Sequence, residues 1–156
     1  MGDNEMRNSV IIVVFLFLFT NCKNRIVEEY IYNECKTLLN NKDTVGIIDL
    51  SSIKQFSWDT LYYFSIGSSY DEIVSTLPSR EPPYIEFDLK LYFYDKQNLV
   101  YYEFWPVFTK RKIKIGIVLD STRFTTDRAN AKFKVSIINN NTFFLYPLLN
   151  PVMLQK

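Results

Sequence analysis

The chain of 156 residues contains no histidine, and this absence excludes a wide range of chemistry. Without histidine there is no Ser-His-Asp triad, no Cys-His pair and no histidine-ligated zinc or iron site. Gly-rich phosphate-binding loops and cysteine pairs at zinc-site spacing are also missing. Paired carboxylates such as Asp59 with Asp88 or Glu103 could in principle do acid–base chemistry, but nothing in the spacing brings these residues together. We therefore expect a protein that is not an enzyme and that uses no metal or cofactor.

Glycine and proline are scarce as well, with four and six residues. This low content excludes a fibrous or low-complexity chain. Thirteen phenylalanines and eleven tyrosines favour strands with half-buried faces instead. Removal of residues 1–21 leaves 135 residues, which is the size of a single domain.

Long apolar runs are limited to one, residues 10–19, which is too short for a membrane-spanning helix of about 20 residues. Its length suits the core of a secretory signal, which is typically about 7–15 residues behind a positive start. Asp3 and Glu5 spoil the positive charge of the literal start. Initiation at Met6 places Arg7 directly before the apolar run, so Met6 is the expected true start.

Cysteine occurs twice, and Cys22 closely follows the apolar run in the stretch LFTNCKN. This arrangement resembles a bacterial lipoprotein signal, especially the looser Bacteroidetes type. The resemblance implies that residues 1–21 are removed, that Cys22 becomes an acylated (palmitate-bearing) first residue, and that residues 22–25 form a short tether. The protein would then be lipid-anchored in the cell envelope, at the periplasmic side or the outer membrane. A plain signal peptide and an uncleaved anchor are the alternatives.

The second cysteine, Cys35, lies on an apolar stripe with Val27, Ile31 and Leu38. A repeat of three to four residues predicts one buried face of a helix. We expect Cys35 to be a core residue without a disulfide partner, because Cys22 carries lipid.

The rest of residues 26–156 predicts a single α+β domain. Two helices are expected to pack on one face of a curved antiparallel sheet of four to five strands. The predicted elements are one early strand at 55–64, a second helix capped by Ser69 and ended by Pro78, and later strands at 84–94, 99–105, 112–119, 131–138 and 142–149, with a loop at 120–130.

Each half of this domain has few charges of one sign. Residues 26–103 hold thirteen acidic and six basic side chains, a net charge of −7, while residues 104–156 hold nine basic and two acidic ones, a net charge of +7. The simplest interpretation pairs acidic early strands with basic late strands in one sheet. It expects the basic stretch Lys110, Arg111, Lys112 and Lys114 to pair with Glu86, Asp88 and Glu103. The alternative is a basic face that binds an anionic partner or lipid headgroups.

Trp58 and Asp59 form a second candidate site. Trp58 is expected as a core anchor and Asp59 as a hydrogen-bond acceptor for backbone near a strand end. In the alternative interpretation, the Trp58 ring and the adjacent Asp59 carboxylate form part of a ligand cleft.

The stretch around Trp58 resembles a family of small bacterial lipoproteins with an F-x-W-D-x-L-Y-x-F signature, followed by a Ser-Tyr-x-x-Ile helix. The matching residues are Phe56, Trp58, Asp59, Leu61, Tyr62 and Phe64, then Ser69, Tyr70 and Ile73. The closing strands resemble that family too, and the chain is remotely similar to small outer-membrane-assembly lipoproteins and β-lactamase-inhibitor-like domains. The resemblance implies a non-catalytic domain that binds another envelope protein, in assembly, inhibition or immunity. Lipid-headgroup or small-ligand binding is the alternative, and no nucleic-acid partner is expected.

Replacement of the predicted lipidated residue is the direct test of the anchor. Cys22→Ser removes the only thiol available for acylation next to the signal, so we expect loss of metabolic labelling by a fatty-acid probe and release from membranes. Membrane fractionation of cells that express the two forms measures this. Unchanged labelling of the serine variant would contradict the lipoprotein interpretation.

Overall fold

The computed structural model describes residues 25–79, 81–107 and 112–148. These residues form two helices, eight strands and two short 3-10 segments. No helix among them is long and apolar enough to span a membrane. The elements are α1 Ile26–Asn40, β1 Val45–Asp49, β2 Thr60–Phe64, α2 Tyr70–Thr76, β3 Asp88–Asp95, β4 Asn98–Pro106, β5 Lys114–Ile117, β6 Arg123–Asp127, β7 Lys132–Asn139 and β8 Thr142–Pro147.

The strands form two sheets of four rather than one. Sheet A has the order β1-β7-β8-β5 and sheet B has the order β4-β3-β2-β6. Neighbouring strands are antiparallel except β5 and β8, which run parallel. The chain is α+β, but the predicted single antiparallel sheet of four to five strands is wrong.

Two strands that the sequence pattern did not reveal account for this error. In β1, Val45 and Ile47 lie on the exposed face, so the strand shows no apolar–polar alternation. β6 lies inside the predicted loop at 120–130, and Phe124 is its single buried residue. Each of these strands pairs with a partner far along the chain, so no hairpin turn in the sequence next to them indicates a strand.

The prediction that both helices pack on one sheet face is also wrong. Val27, Ile31 and Cys35 of α1 are fully buried in a core shared with strands of both sheets, which confirms the predicted apolar stripe. Burial raises the pKa of the Cys35 thiol to about 12, so the thiol is inert at neutral pH. α2 instead contributes Ile73 to a separate core on the other face of sheet B.

Sheet B is therefore covered on both faces. Leu91 and Phe93 of β3 point into the main core, while Tyr92 and Tyr94 point into the smaller one. The predicted strand at 84–94 begins too early, because Phe87, directly before β3, is 57% exposed and has a positive φ of 63°. Because both faces of β3 are covered, its sequence alternation does not mark where the strand begins.

The predicted cap of the second helix is confirmed. The Ser69 hydroxyl accepts a hydrogen bond from the backbone N–H of Glu72 at 3.2 Å. The Glu72 carboxylate lies 3.4 Å from Arg123 Nη1 of β6, so its ion pair holds α2 against sheet B.

α1 connects the two sheets at their edges. Its first turn is hydrogen-bonded to side chains of β4, and the Tyr30 hydroxyl donates to the Asp49 carbonyl of β1 at 3.0 Å. Near its C-terminal end Leu38 packs over Gly46, where an added Cβ would lie 2.5 Å from Leu38 Cδ1. The missing side chain of Gly46 thus allows the helix to approach β1 closely.

Substitution of Gly46 tests this close approach. Gly46→Val is expected to lower the free energy of unfolding by about 1–3 kcal/mol, because the new methyl groups must displace Leu38. Gly67→Val is the matched control, since nothing lies within 4 Å of a Cβ added there. Urea unfolding followed by circular dichroism measures both variants, and equal losses would contradict the proposed packing.

Candidate functional site

A mostly apolar cleft of about 360 Å³ lies between one end of sheet B and the free edge of β5. Ile66 after β2, Leu89 of β3 and Trp105 of β4 form the sheet B side, since the register aligns these strand ends. Lys114 and Thr142 are the polar members of its lining. Among the described residues the lining is Ile66, Leu89, Trp105, Pro106, Val107, Ile113, Lys114, Ile115, Gly116, Ile117, Thr142 and Phe144.

The edge of β5 forms one wall of the cleft over its whole length. Residues 113–117 are consecutive and all line it. Among the described strands β8 is the single neighbour of β5, so no described strand pairs with the other edge, where backbone N–H and C=O groups can bind a further strand. Gly116 opens the wall further, because a Cβ there would come within 3.2 Å of the Phe144 ring. The wall can therefore accept both apolar side chains and backbone hydrogen bonds.

The predicted basic stretch borders this cleft in part. Lys114 lines it, and Lys112 is exposed just before β5. Lys110 and Arg111 lie outside the described residues, as does Cys22.

The predicted cross-sheet pairing of these lysines is wrong for the residues that can be seen. Neither Lys112 nor Lys114 lies within 4.0 Å of a carboxylate of the described chain. Lys114 belongs to sheet A, whereas Asp88 and Glu103 belong to sheet B. Lys114 thus presents its charge in the lining of the cleft, and Lys112 presents its charge just before β5.

Trp58 has the structural position expected of a core anchor. It is 2% exposed, and its ring meets Phe93 edge-on at a centroid distance of 5.0 Å. The Arg128 guanidinium lies 5.6 Å from the Trp58 ring centroid and donates to the carbonyls of Ser51 and Ile53. The Trp58 side chain is therefore enclosed by the segment between β1 and β2, and it does not line the cleft.

Asp59 organises a turn instead of a ligand site. Its carboxylate accepts hydrogen bonds from the Thr60 hydroxyl and the Lys96 backbone N–H, each at 2.7 Å. These donors, the Thr60 hydroxyl first, lower the pKa of Asp59. Lys96 has a positive φ of 58° in the β3–β4 hairpin, so the carboxylate stabilises a turn conformation that most residues avoid. The prediction of a backbone acceptor near the strand end is confirmed.

A buried carboxylate, Glu103, accepts a hydrogen bond from the Trp105 wall of the cleft and was not predicted as a structural centre. Its side chain accepts four hydrogen bonds. The donors are the backbone N–H groups of Val27 at 2.9 Å and Glu28 at 3.0 Å, the Tyr101 hydroxyl at 2.7 Å and the Trp105 indole N–H at 2.7 Å. Glu103 therefore caps α1 from a strand that is 75 residues away in sequence.

The electrostatics of Glu103 reflect two opposing effects. Burial raises the pKa of Glu103 above its usual value, and the four donors act in the opposite direction by stabilising the anion. The positive end of the α1 dipole favours the same anion. Because Trp105 is both a donor to Glu103 and a wall of the cleft, the carboxylate fixes the shape of the cleft.

The apolar cleft itself was missed by sequence reasoning, which singled out the basic residues at its rim. Its walls come from five separate parts of the chain, and no short motif links them. No group of three or more acidic or cysteine side chains that could hold a metal ion occurs among the described residues.

Comparison with known proteins does not assign a function to the cleft. The chain matches no protein-family model, no curated protein and no solved structure.

Removal of the Glu103 carboxylate tests its role. Glu103→Ala is expected to lower the free energy of unfolding by about 3 kcal/mol or more, because two helix N–H groups and two buried side-chain donors lose their acceptor. Glu86→Ala, at an exposed carboxylate, is the matched control. It should change the free energy of unfolding by less than about 0.5 kcal/mol. Chemical denaturation of both variants gives the comparison. Similar values would show that Glu103 does not hold the helix.

Proposed function

We propose that this protein is a lipid-anchored lipoprotein of the bacterial envelope whose domain binds another protein without catalysis. The cleft beside β5 would receive an extended segment of that partner as an additional strand. The anchor rests on the signal-like residues 10–19 and on Cys22, and the resemblance to small envelope lipoproteins supports the same class.

The observation that carries the binding proposal is the continuous β5 edge within an apolar cleft. An extended peptide that adds to a free strand edge gains main-chain hydrogen bonds, and pockets for alternate side chains provide selectivity. The cleft offers both, since residues 113–117 supply the edge and Trp105, Val107 and Phe144 supply apolar surface. Lys114 in the lining and the exposed Lys112 just before β5 favour a partner segment with acidic residues.

Binding of anionic lipid headgroups is the second candidate function. It is favoured by one observation, the exposure of Lys112 and Lys114 away from the carboxylates of the described residues. Salt separates the two candidates. Binding through charge alone weakens strongly as ionic strength rises, while an interface with an apolar centre persists.

A pair of exposed aliphatic residues offers a matched test of the cleft. Val107 is 47% exposed and lines the cleft, while Ile138 is 61% exposed and does not. Val107→Asp is expected to reduce partner capture by about tenfold or more, because a carboxylate in an apolar interface is desolvated without a partner. Ile138→Asp should leave capture unchanged. Affinity purification of the full-length lipidated protein from its own envelope, with quantitative mass spectrometry, measures both.

The same purification at low and high salt distinguishes the candidates. Retention of a partner at high salt, with loss only in Val107→Asp, supports protein binding in the cleft. Equal capture by both variants would contradict the cleft as the site. A loss of all binding at high salt, together with sedimentation on anionic vesicles, would favour headgroup recognition.

A further inference from the structure

We propose that the edge of β4 next to Arg25 is the surface of the domain that rests on the membrane. This surface carries a groove of about 330 Å³ lined by Arg25 and the consecutive residues 99–104. It is separate from the cleft beside β5, with which it shares no lining residue. The inference rests on the proposed lipid anchor and goes beyond it by fixing the orientation of the domain.

The position where the chain leaves the domain is fixed by several hydrogen bonds. The backbone N–H of Ile26 donates to the Tyr101 hydroxyl at 3.1 Å, and the next two N–H groups donate to Glu103. Arg25 is held in turn by its ion pair with Glu28, at 3.0 Å between Nη1 and Oε2. The first described residue is therefore attached to the middle of β4 and cannot swing freely about the helix.

The length of chain between the anchor and this point is short. Two residues separate Cys22 from Arg25, and a fully extended chain covers at most about 11 Å over the three steps between their Cα atoms. If Cys22 carries the acyl chains, the bilayer surface lies within that reach of the β4 edge. The other end of α1, where Leu38 meets β1, lies about 16 Å farther along the helix axis from Val27.

The chemistry of the β4 edge suits a lipid surface as its occupant. Tyr102 is 44% exposed and Val100 is 39% exposed on this strand, which has β3 as its single neighbour among the described strands. Tyrosine is enriched where an aromatic ring meets the headgroup region, and arginine extends its charge toward headgroups. Contact with the bilayer would also cover an exposed apolar strand edge, which otherwise invites aggregation.

Site-specific labelling tests this orientation in the intact protein. Cys35 is buried and inert and Cys22 is blocked by acylation, so Tyr102→Cys introduces a single reactive thiol. The full-length lipidated variant is labelled with an environment-sensitive fluorophore and inserted in vesicles of phosphatidylethanolamine and phosphatidylglycerol with headgroup-quencher lipids. Ile47→Cys, at a 62% exposed position on β1, is the matched control, and Val100→Cys is a second reporter on β4.

We expect quenching at position 102 to exceed that at position 47 by about twofold or more, because a label at the interface lies among the quencher groups. Equal, weak quenching at positions 100, 102 and 47 in an anchored protein would overturn the orientation and leave the lipid anchor intact. Fatty-acid labelling that persists in Cys22→Ser would instead overturn the anchor, and with it the orientation. The two failures are thus distinguishable.

Discussion

The fold depends on one buried carboxylate that serves as the N-terminal cap of a distant helix. α1 has no side-chain cap of its own, because Arg25 stands at the capping position. Glu103 supplies the missing acceptor from β4 and at the same time satisfies Tyr101 and Trp105. A buried anion is tolerated only where such donors surround it. The same four hydrogen bonds place the helix between the sheets, set the wall of the cleft and fix the point where the chain enters the domain.

Sequence patterns predicted the helices and strands correctly where an element has one buried face and one exposed face. α1 is apolar on one stripe, and Val27, Ile31 and Cys35 lie where the 3.6-residue period places them. β7 has one buried and one wet face, so Phe133, Val135 and Ile137 alternate cleanly with polar residues. Ser69 follows the local rule for helix caps, which needs no tertiary context.

Prediction failed where a residue's role is decided by distant partners. β6 is mostly polar and becomes a strand because β2 offers it a free edge. The alternation of β3 conceals a second core, since both faces of that strand are covered. Of the candidate site residues, Trp58 and Asp59 have the structural contacts expected of them, while Lys112 and Lys114 lie in a different sheet from their expected partners. The opposite charges of the two halves of the chain produce few contacts between them, such as Lys132 with Asp49 at 3.9 Å.

The pairing of β1 with β7 also constrains how the chain can reach this structure. Val45 pairs with Ser136, and Asp49 with Lys132, so one of the first strands needs a partner from near the end of the chain. β2 likewise needs β6 to complete sheet B. Closing such long loops loses entropy before any contact compensates for it, and domains built from distant pairings fold slowly for this reason. The first strands therefore lack their pairing partners until β6 and β7 have been synthesised, and folding of the domain must follow the emergence of these strands.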